Sequence, residues 1–379
     1  MAPPTRFDDL SLDELRQRRS EKWRRYPADV LPAWVAELDF PLAPPVGRAL
    51  AEAVERNDTG YANARGLPET FASFAGPRWG WQVDPQRTLV VADVMSGVAE
   101  LLRALTEPGD AVVVNPPVYP PFFTVVREVG REVVEAPLGL DWRLDLDALG
   151  AAFAGGARCY LLCSPHNPTG TVHTREELSA VAELAARHDV LVISDEVHAP
   201  MTLPGATHVP YLEVAENGLA LVSASKAWNL AGLKCALAVA GSERAAAELG
   251  RVPAHVRYHV GHFGVIGGIA AFAEGSAWLD ELVAHLDVQR DRLAELLAAR
   301  LPAVRLVRPQ AGYLAWLDCR ELGLGDDPSE VFLERGRVAL SSGLPFGTQG
   351  KGFARLNVGT SGELLAEAVR RMAAALPFP

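Results

Sequence analysis

The stretch Ser223-Ala224-Ser225-Lys226-Ala227-Trp228-Asn229-Leu230-Ala231-Gly232-Leu233-Lys234 decides how the chain is read. It follows Leu219-Ala220-Leu221-Val222, an apolar run with the length and composition of a buried strand. Two serines flank the small Ala224, and Lys226 comes where the strand gives way to a loop. Burial lowers the pKa of an amine, and a neutral amine attacks carbonyl carbon. A lone lysine on a loop is ordinarily a solvated charge. Its companions upstream decide whether Lys226 is one.

Two earlier strand-like runs end in polar residues of their own. Cys159–Cys163 leads into Ser164-Pro165-His166-Asn167-Pro168-Thr169-Gly170, where two prolines and a glycine within seven residues predict a rigid loop centred on Asn167. Val190–Ser194 leads into Asp195-Glu196-Val197-His198, and a carboxylate placed after five apolar-run residues is desolvated unless it meets a cation. Three strand ends in succession thus present an amide, a carboxylate and an amine to one edge of a sheet.

The surrounding pattern supplies that sheet. Thr88–Ala92, Ala111–Asn115, Arg131–Ala136, Cys159–Cys163, Val190–Ser194, Leu219–Ser223 and Leu237–Ala240 read as strands, with helical patterns at about 95–106 and at 175–188. Such alternation predicts an α/β layer structure with a mainly parallel sheet, which binds ligands beyond the carboxyl ends of its strands. After about 265 the alternation stops. A long helix over roughly 276–300 leads into short strands (Val304–Val307, Tyr313–Asp318, Ala354–Val358) and a closing helix at 362–375. The expected division is an N-terminal arm, 1–47, that packs with the small domain, a large domain, 48–275, and a smaller α+β domain, 276–379. Residues 8–25 read as roughly helical. Leu31–Pro41, closed by proline on both sides, reads as an extended arm.

Composition narrows the function. The 379 residues are 49% hydrophobic and 22% charged, ordinary for a globular protein, and the net charge of −11 argues against nucleic acid or an anionic membrane as partner. Four scattered cysteines make no disulfide framework and no four-ligand metal site, and they suit a reducing cytoplasm. Met1–Arg6 lacks the apolar core of a signal peptide. Gly347-Thr348-Gln349-Gly350-Lys351-Gly352 has neither the glycine spacing nor the Ser/Thr of a P-loop and reads as a turn.

One ligand uses the whole trio. Pyridoxal 5′-phosphate offers an aldehyde to a lysine, a pyridine nitrogen to a carboxylate and a phenolate oxygen to an amide. With S-P-H-N-P-T-G (164–170), S-D-E-V-H (194–198) and S-A-S-K-x-x-N-L-A-G-L-K (223–234), spaced 28 residues from Asn167 to Asp195 and 31 on to Lys226, the chain resembles the fold type I pyridoxal-phosphate enzymes of the class I/II aminotransferase superfamily. The resemblance spans nearly the whole chain.

It implies further roles. The phosphate loop falls at Ala92-Asp93-Val94-Met95-Ser96, with Val94 and Met95 donating backbone N–H groups at a helix start. Asp93 stands where the family commonly has glycine, so its carboxylate is expected to turn away. Ser223, Ser225 and Lys234 match the other phosphate ligands. Tyr119 matches the ring-stacking aromatic, and Tyr61 a tyrosine that reaches the neighbouring subunit's phosphate in a homodimer. Arg355 matches the clamp on the substrate α-carboxylate, with Ala36 and Tyr61 as further substrate contacts. The segment L-P-A-W-V-A-E-L-D-F (31–40), His166 and His198 resemble the carbon–sulfur β-lyase branch, the cystathionine β-lyases of the MalY/PatB type. There Lys226 is the base at Cα, Asp195 keeps the pyridine nitrogen protonated, Tyr119 assists at the leaving group, and cystathionine or a cysteine S-conjugate yields thiol, pyruvate and ammonia. An aminotransferase using the same site remains open, as does a non-catalytic protein of this fold.

Overall fold

The computed structural model describes residues 7–376; the Met1–Arg6 segment lies outside them. Thirteen strands are formed among the described residues: β1 (Leu31–Pro32), β2 (Thr88–Val91), β3 (Ala111–Val114), β4 (Glu132–Glu135), β5 (Cys159–Cys163), β6 (Leu191–Asp195), β7 (Gly218–Val222), β8 (Ala236–Ala240), β9 (Arg305–Val307), β10 (Leu314–Asp318), β11 (Val338–Ala339), β12 (Ser341–Ser342) and β13 (Phe353–Asn357). Seven make one sheet in the order β2-β8-β7-β6-β5-β3-β4. All its neighbours run parallel except β8, which is antiparallel to both β2 and β7. The mainly parallel sheet read from the alternation is therefore present.

Every residue of β5, β7 and β8 is buried. Unbroken apolar strands need cover on both faces, and alternate side chains feed two cores. Tyr160, Leu162, Val192 and Ala220 join one; Leu161, Ile193, Leu219 and Leu221 join the other. Helix Val94–Leu105 covers the second face, turning Val94, Val98, Leu101 and Leu102 inward at helical spacing. It lies so close that a Cβ on Gly97 would stand 2.8 Å from a methyl of Leu221. Helix Arg175–His188 starts on a capping box between Thr174 and Glu177.

The C-terminal part builds a four-stranded antiparallel sheet, β12-β13-β10-β9, beside the 25-residue helix Ser276–Arg300 and the helix Gly362–Ala374. The N-terminal segment joins it. β1 pairs in parallel with β11, Leu31 opposite Val338.

Two details differ from the sequence reading. Residues 8–25 form two single turns, Leu12–Leu15 and Glu21–Arg24, rather than one helix. Arg18 between them donates to Leu38 O and Asp39 O, and Lys22 is drawn into a buried ion pair with Asp39 at 2.8 Å. These distant partners bend the segment around the arm. Asp195, expected just past its strand, is instead the last residue of β6, paired with Cys163 on one side and Leu221 on the other. No helix among the described residues is long and apolar enough to cross a membrane.

Candidate active site

The carboxyl ends of the adjacent parallel strands β5, β6 and β7 carry Asn167, Asp195 and Lys226. The loop after β5 is fixed by Gly170, whose φ is +69° and whose missing Cβ would lie 2.5 Å from Pro309. Its carbonyl accepts from Gln310 N and Ala311 N, which ties the loop to the chain entering β10. Asn167 is buried there and accepts from Arg355 Nη1 through Oδ1 at 2.9 Å.

Arg355 comes from the other sheet, on β13. Its Nη2 donates to Trp34 O and Ser341 Oγ, both at 3.2 Å, and the guanidinium lies 5.0 Å over the Phe346 ring. Burial lowers its pKa to about 10, with Tyr119 and Tyr313 opposing, so it stays charged at neutral pH. Its Nε is buried with no hydrogen-bond partner among the described residues.

Asp195 is buried, and among the described residues its carboxylate accepts one hydrogen bond, from Val197 N to Oδ1 at 3.1 Å. Burial pushes its carboxyl up to about 7; the Val197 amide and Lys226 hold it down, and Glu196 pushes it further up. Lys226 Nζ donates to Ala36 O at 3.3 Å. Burial and the Arg355 charge lower the amine to about 8, against the pull of Asp195 and Glu37. His198 packs its ring edge-on to Tyr313 at 6.3 Å. Burial, Lys226 and Arg355 drive it down to about 3, so the imidazole is neutral. Tyr119 is raised by burial and keeps its proton.

Val94 and Met95 form the first turn of helix Val94–Leu105, and Lys234 reaches its mouth from 141 residues away. Asp93 does not turn away as expected. Its Oδ1 accepts from Ser96 N at 2.8 Å and its Oδ2 pairs with Lys234 Nζ at 3.0 Å. The reason is that a helix start leaves amides without partners, and an aspartate at the cap satisfies one. Ser223 lies nearby but donates its proton to Cys235 O at 2.7 Å and accepts from Ser225 N at 3.0 Å. Toward an anion it offers no hydroxyl proton in this arrangement, whereas the Ser225 hydroxyl has no partner among the described residues.

Tyr61 does not join the cluster within this chain. It is 88% exposed and contacts Tyr258 edge-on at 6.4 Å. The structure adds residues that sequence reasoning missed. Tyr313 OH donates to Ala36 O at 3.0 Å, and Asn357 Nδ2 donates to Val35 O and Glu37 O, both at 2.7 Å. Asn229 grips Leu38 at both its N–H and its carbonyl. Asn229 stood in the opening stretch, and Tyr313 at the start of a short strand. A polar tip inside an apolar run was the available signal.

Three buried groups therefore lack full compensation: a carboxylate short of a cation, an amine held toward its neutral form, and a guanidinium with a spare donor. A molecule with a ring cation, an aldehyde and acceptor oxygens satisfies all three, and pyridoxal phosphate is such a molecule.

Residues 27–372 match the family described as aminotransferase class I and II. A Mycobacterium leprae protein named "Putative cystathionine beta-lyase" is 50% identical, with 98% of each chain covered. The Corynebacterium glutamicum cystathionine beta-lyase is 37% identical over 98% of this chain and 100% of its own. The crystal structure of a Corynebacterium diphtheriae protein described as a "putative plp-dependent beta-cystathionase" superposes with a TM-score of 0.93 at 35% identity, covering 97% of this chain and 98% of that one. The chain belongs to the aminotransferase class I and II family.

Proposed function

We propose that this member of the class I/II aminotransferase family is a pyridoxal-phosphate-dependent carbon–sulfur β-lyase. It eliminates a thiol from Cβ of cystathionine or a related cysteine S-conjugate. The observation that carries the reading is the convergence of Asn167, Asp195, Lys226 and Arg355 from two sheets, in a chain whose relatives at 50% and 37% identity bear cystathionine β-lyase names.

In this reading Lys226 holds the cofactor aldehyde, Asp195 the pyridine nitrogen, and Asn167 through its Nδ2 the phenolate oxygen, with His198 neutral beside it. Tyr119 covers the ring. Val94 N–H, Met95 N–H, Ser225 and Lys234 take the phosphate, with Ser223 bracing that turn. When bound, pyridoxal phosphate links to the substrate amine and draws negative charge from Cα into its protonated ring.

The chain's own groups do the rest. Arg355 clamps the substrate α-carboxylate with its fork. Lys226 Nζ, poised near neutrality, accepts the Cα proton as general base. Asp195 keeps the ring proton in place by its negative charge. Tyr119, which keeps its own proton, gives it to the departing sulfur. The C–S bond breaks with its electron pair on sulfur, and addition of water to the remaining three-carbon fragment gives pyruvate and ammonia.

Tyr61 is assigned to a second copy of the chain, reaching the partner's phosphate in a homodimer; its exposure fits that role. The division into arm 1–47, large domain 48–275 and small domain 276–379 is supported by the pairing of β1 with β11. The enzyme is assigned to the cytoplasm on its cysteine usage.

The test is to incubate the holoenzyme with L-cystathionine and no keto acid. Stoichiometric thiol and pyruvate are expected. Amino transfer that proceeds only when a keto acid is added, without thiol release, makes the protein an aminotransferase instead.

A further inference from the structure

Resting on the cofactor assignment above, we infer that Asp93 is a built-in stand-in for the cofactor phosphate. It caps helix Val94–Leu105 and holds the Lys234 ammonium until the phosphate takes that ammonium over.

The two groups that Asp93 engages are the two kinds that a phosphate needs at this place. One is a first-turn amide, Ser96 N at 2.8 Å; the other is a cation, Lys234 Nζ at 3.0 Å. The carboxylate thus meets the donors an anion would meet, one oxygen to each. Around it the turn is already closed. Ser223 gives its proton to Cys235 O, next to Lys234, and Lys234 itself adopts a left-handed backbone with φ 61°. A lysine held in that conformation carries its ammonium to the helix mouth through a backbone most residues avoid.

Asp93 and a bound phosphate compete for the Lys234 ammonium. The phosphate brings close to two negative charges beside a carboxylate, and like charges a few ångströms apart repel. The pair is also built to yield. Its side chains are 57% and 30% exposed, and ion pairs in such surroundings are weak. Ser96 N is the third amide of the helix, so the carboxylate leaves the Val94 and Met95 amides open to an incoming anion. In the exchange Lys234 passes from carboxylate to phosphate, and the Asp93 side chain moves off or stays at an electrostatic cost. Either way the charge of Asp93 weakens phosphate binding. The opposite reading makes Asp93 a brace that holds Lys234 ready, and it predicts the opposite sign.

The experiment compares cofactor-free wild type with Asp93→Asn and Asp93→Gly. It titrates pyridoxal phosphate, pyridoxal and inorganic phosphate, following intrinsic fluorescence and thermal melting. Asparagine keeps an oxygen for Ser96 N but removes the charge; glycine removes both. Asp93→Asn is expected to bind pyridoxal phosphate and inorganic phosphate about tenfold more tightly, with the melting point of the cofactor-free form little changed. Asp93→Gly is expected to share the gain in affinity while its cofactor-free form melts a few degrees lower. Pyridoxal, which lacks the phosphate, should bind wild type and Asp93→Asn alike. Unchanged or weaker binding of pyridoxal phosphate by Asp93→Asn overturns the inference, as does an equal gain for pyridoxal. A wild type that binds no pyridoxal phosphate at all overturns the cofactor assignment beneath it.

Discussion

Asn167, beyond the end of β5 in the seven-stranded sheet, accepts a hydrogen bond from Arg355 on β13 of the four-stranded sheet at 2.9 Å. The residue assigned to the cofactor and the residue assigned to the substrate carboxylate thus touch, although 188 positions separate them. Replacing the fork of Arg355 by the point charge of lysine keeps the charge and loses the paired donors. Arg355→Lys is expected to lower kcat/KM for cysteine S-conjugates by about 30- to 100-fold, or about 2–3 kcal/mol, mostly through KM. Steady-state kinetics on holoenzyme checks this, and an unchanged KM argues against the clamp.

The amine of Lys226 makes a stability prediction with a defined sign. Its folded pKa of about 8 lies below the ordinary 10.5, so the unfolded chain holds the proton more tightly. Lys226 therefore costs stability below about pH 8, and the cost fades as pH rises toward 10.5. Cofactor-free Lys226→Met should gain about 2–3 kcal/mol over wild type at neutral pH, shrinking toward zero in the alkaline range. Urea denaturation at the two pH values measures it. A gain independent of pH would mean that packing, not charge, is responsible.

The N-terminal arm is pinned by a buried ion pair. Lys22 and Asp39 meet at 2.8 Å with side chains 1% and 2% exposed, and Trp23 Nε1 donates to the same carboxylate at 3.1 Å. Asp39→Ala strands the Lys22 charge, so a loss of about 3–5 kcal/mol is expected in denaturant unfolding. Because the arm brings Ala36 O to Lys226, activity of the folded fraction should fall as well. A variant with full activity and unaltered stability would show that the arm does not shape the site.

Tyr61 tests the dimer. If it serves the partner's site, mixing inactive Lys226→Ala subunits with inactive Tyr61→Ala subunits restores sites that have both residues. Half the dimers are then hybrid, each with one intact site, so about a quarter of wild-type activity is expected. No recovery after subunit exchange, confirmed by mass, places Tyr61 outside the partner's site.

How much of this lay in the sequence depends on how far each signal reaches. The sheet and its three functional strand ends were legible because apolar runs, Pro/Gly loops and a terminal Asn, Asp or Lys are local patterns. The contact from Lys226 to Ala36 was not legible, since the acceptor is a backbone carbonyl that any residue carries. Asp93 was misjudged for a related reason. Its carboxylate answers to the amide of Ser96 and to a lysine 141 positions away, and only the folded chain brings these together. Residues 8–25 carried helical composition but broke in two, because Arg18 and Lys22 found partners on the arm. Ser223 was read by type as an anion ligand, and the nearby Cys235 carbonyl takes its proton.

The central claim is that Lys226, among the groups gathered at these strand ends, is the covalent anchor of the cofactor. Treating holoenzyme with borohydride, digesting it and sequencing the modified peptide by mass spectrometry tests this directly. The expected result is one reduced pyridoxyl-phosphate group per chain, on Lys226, and none in Lys226→Ala. A label on another lysine, or a yellow, reducible adduct that persists in Lys226→Ala, would contradict it.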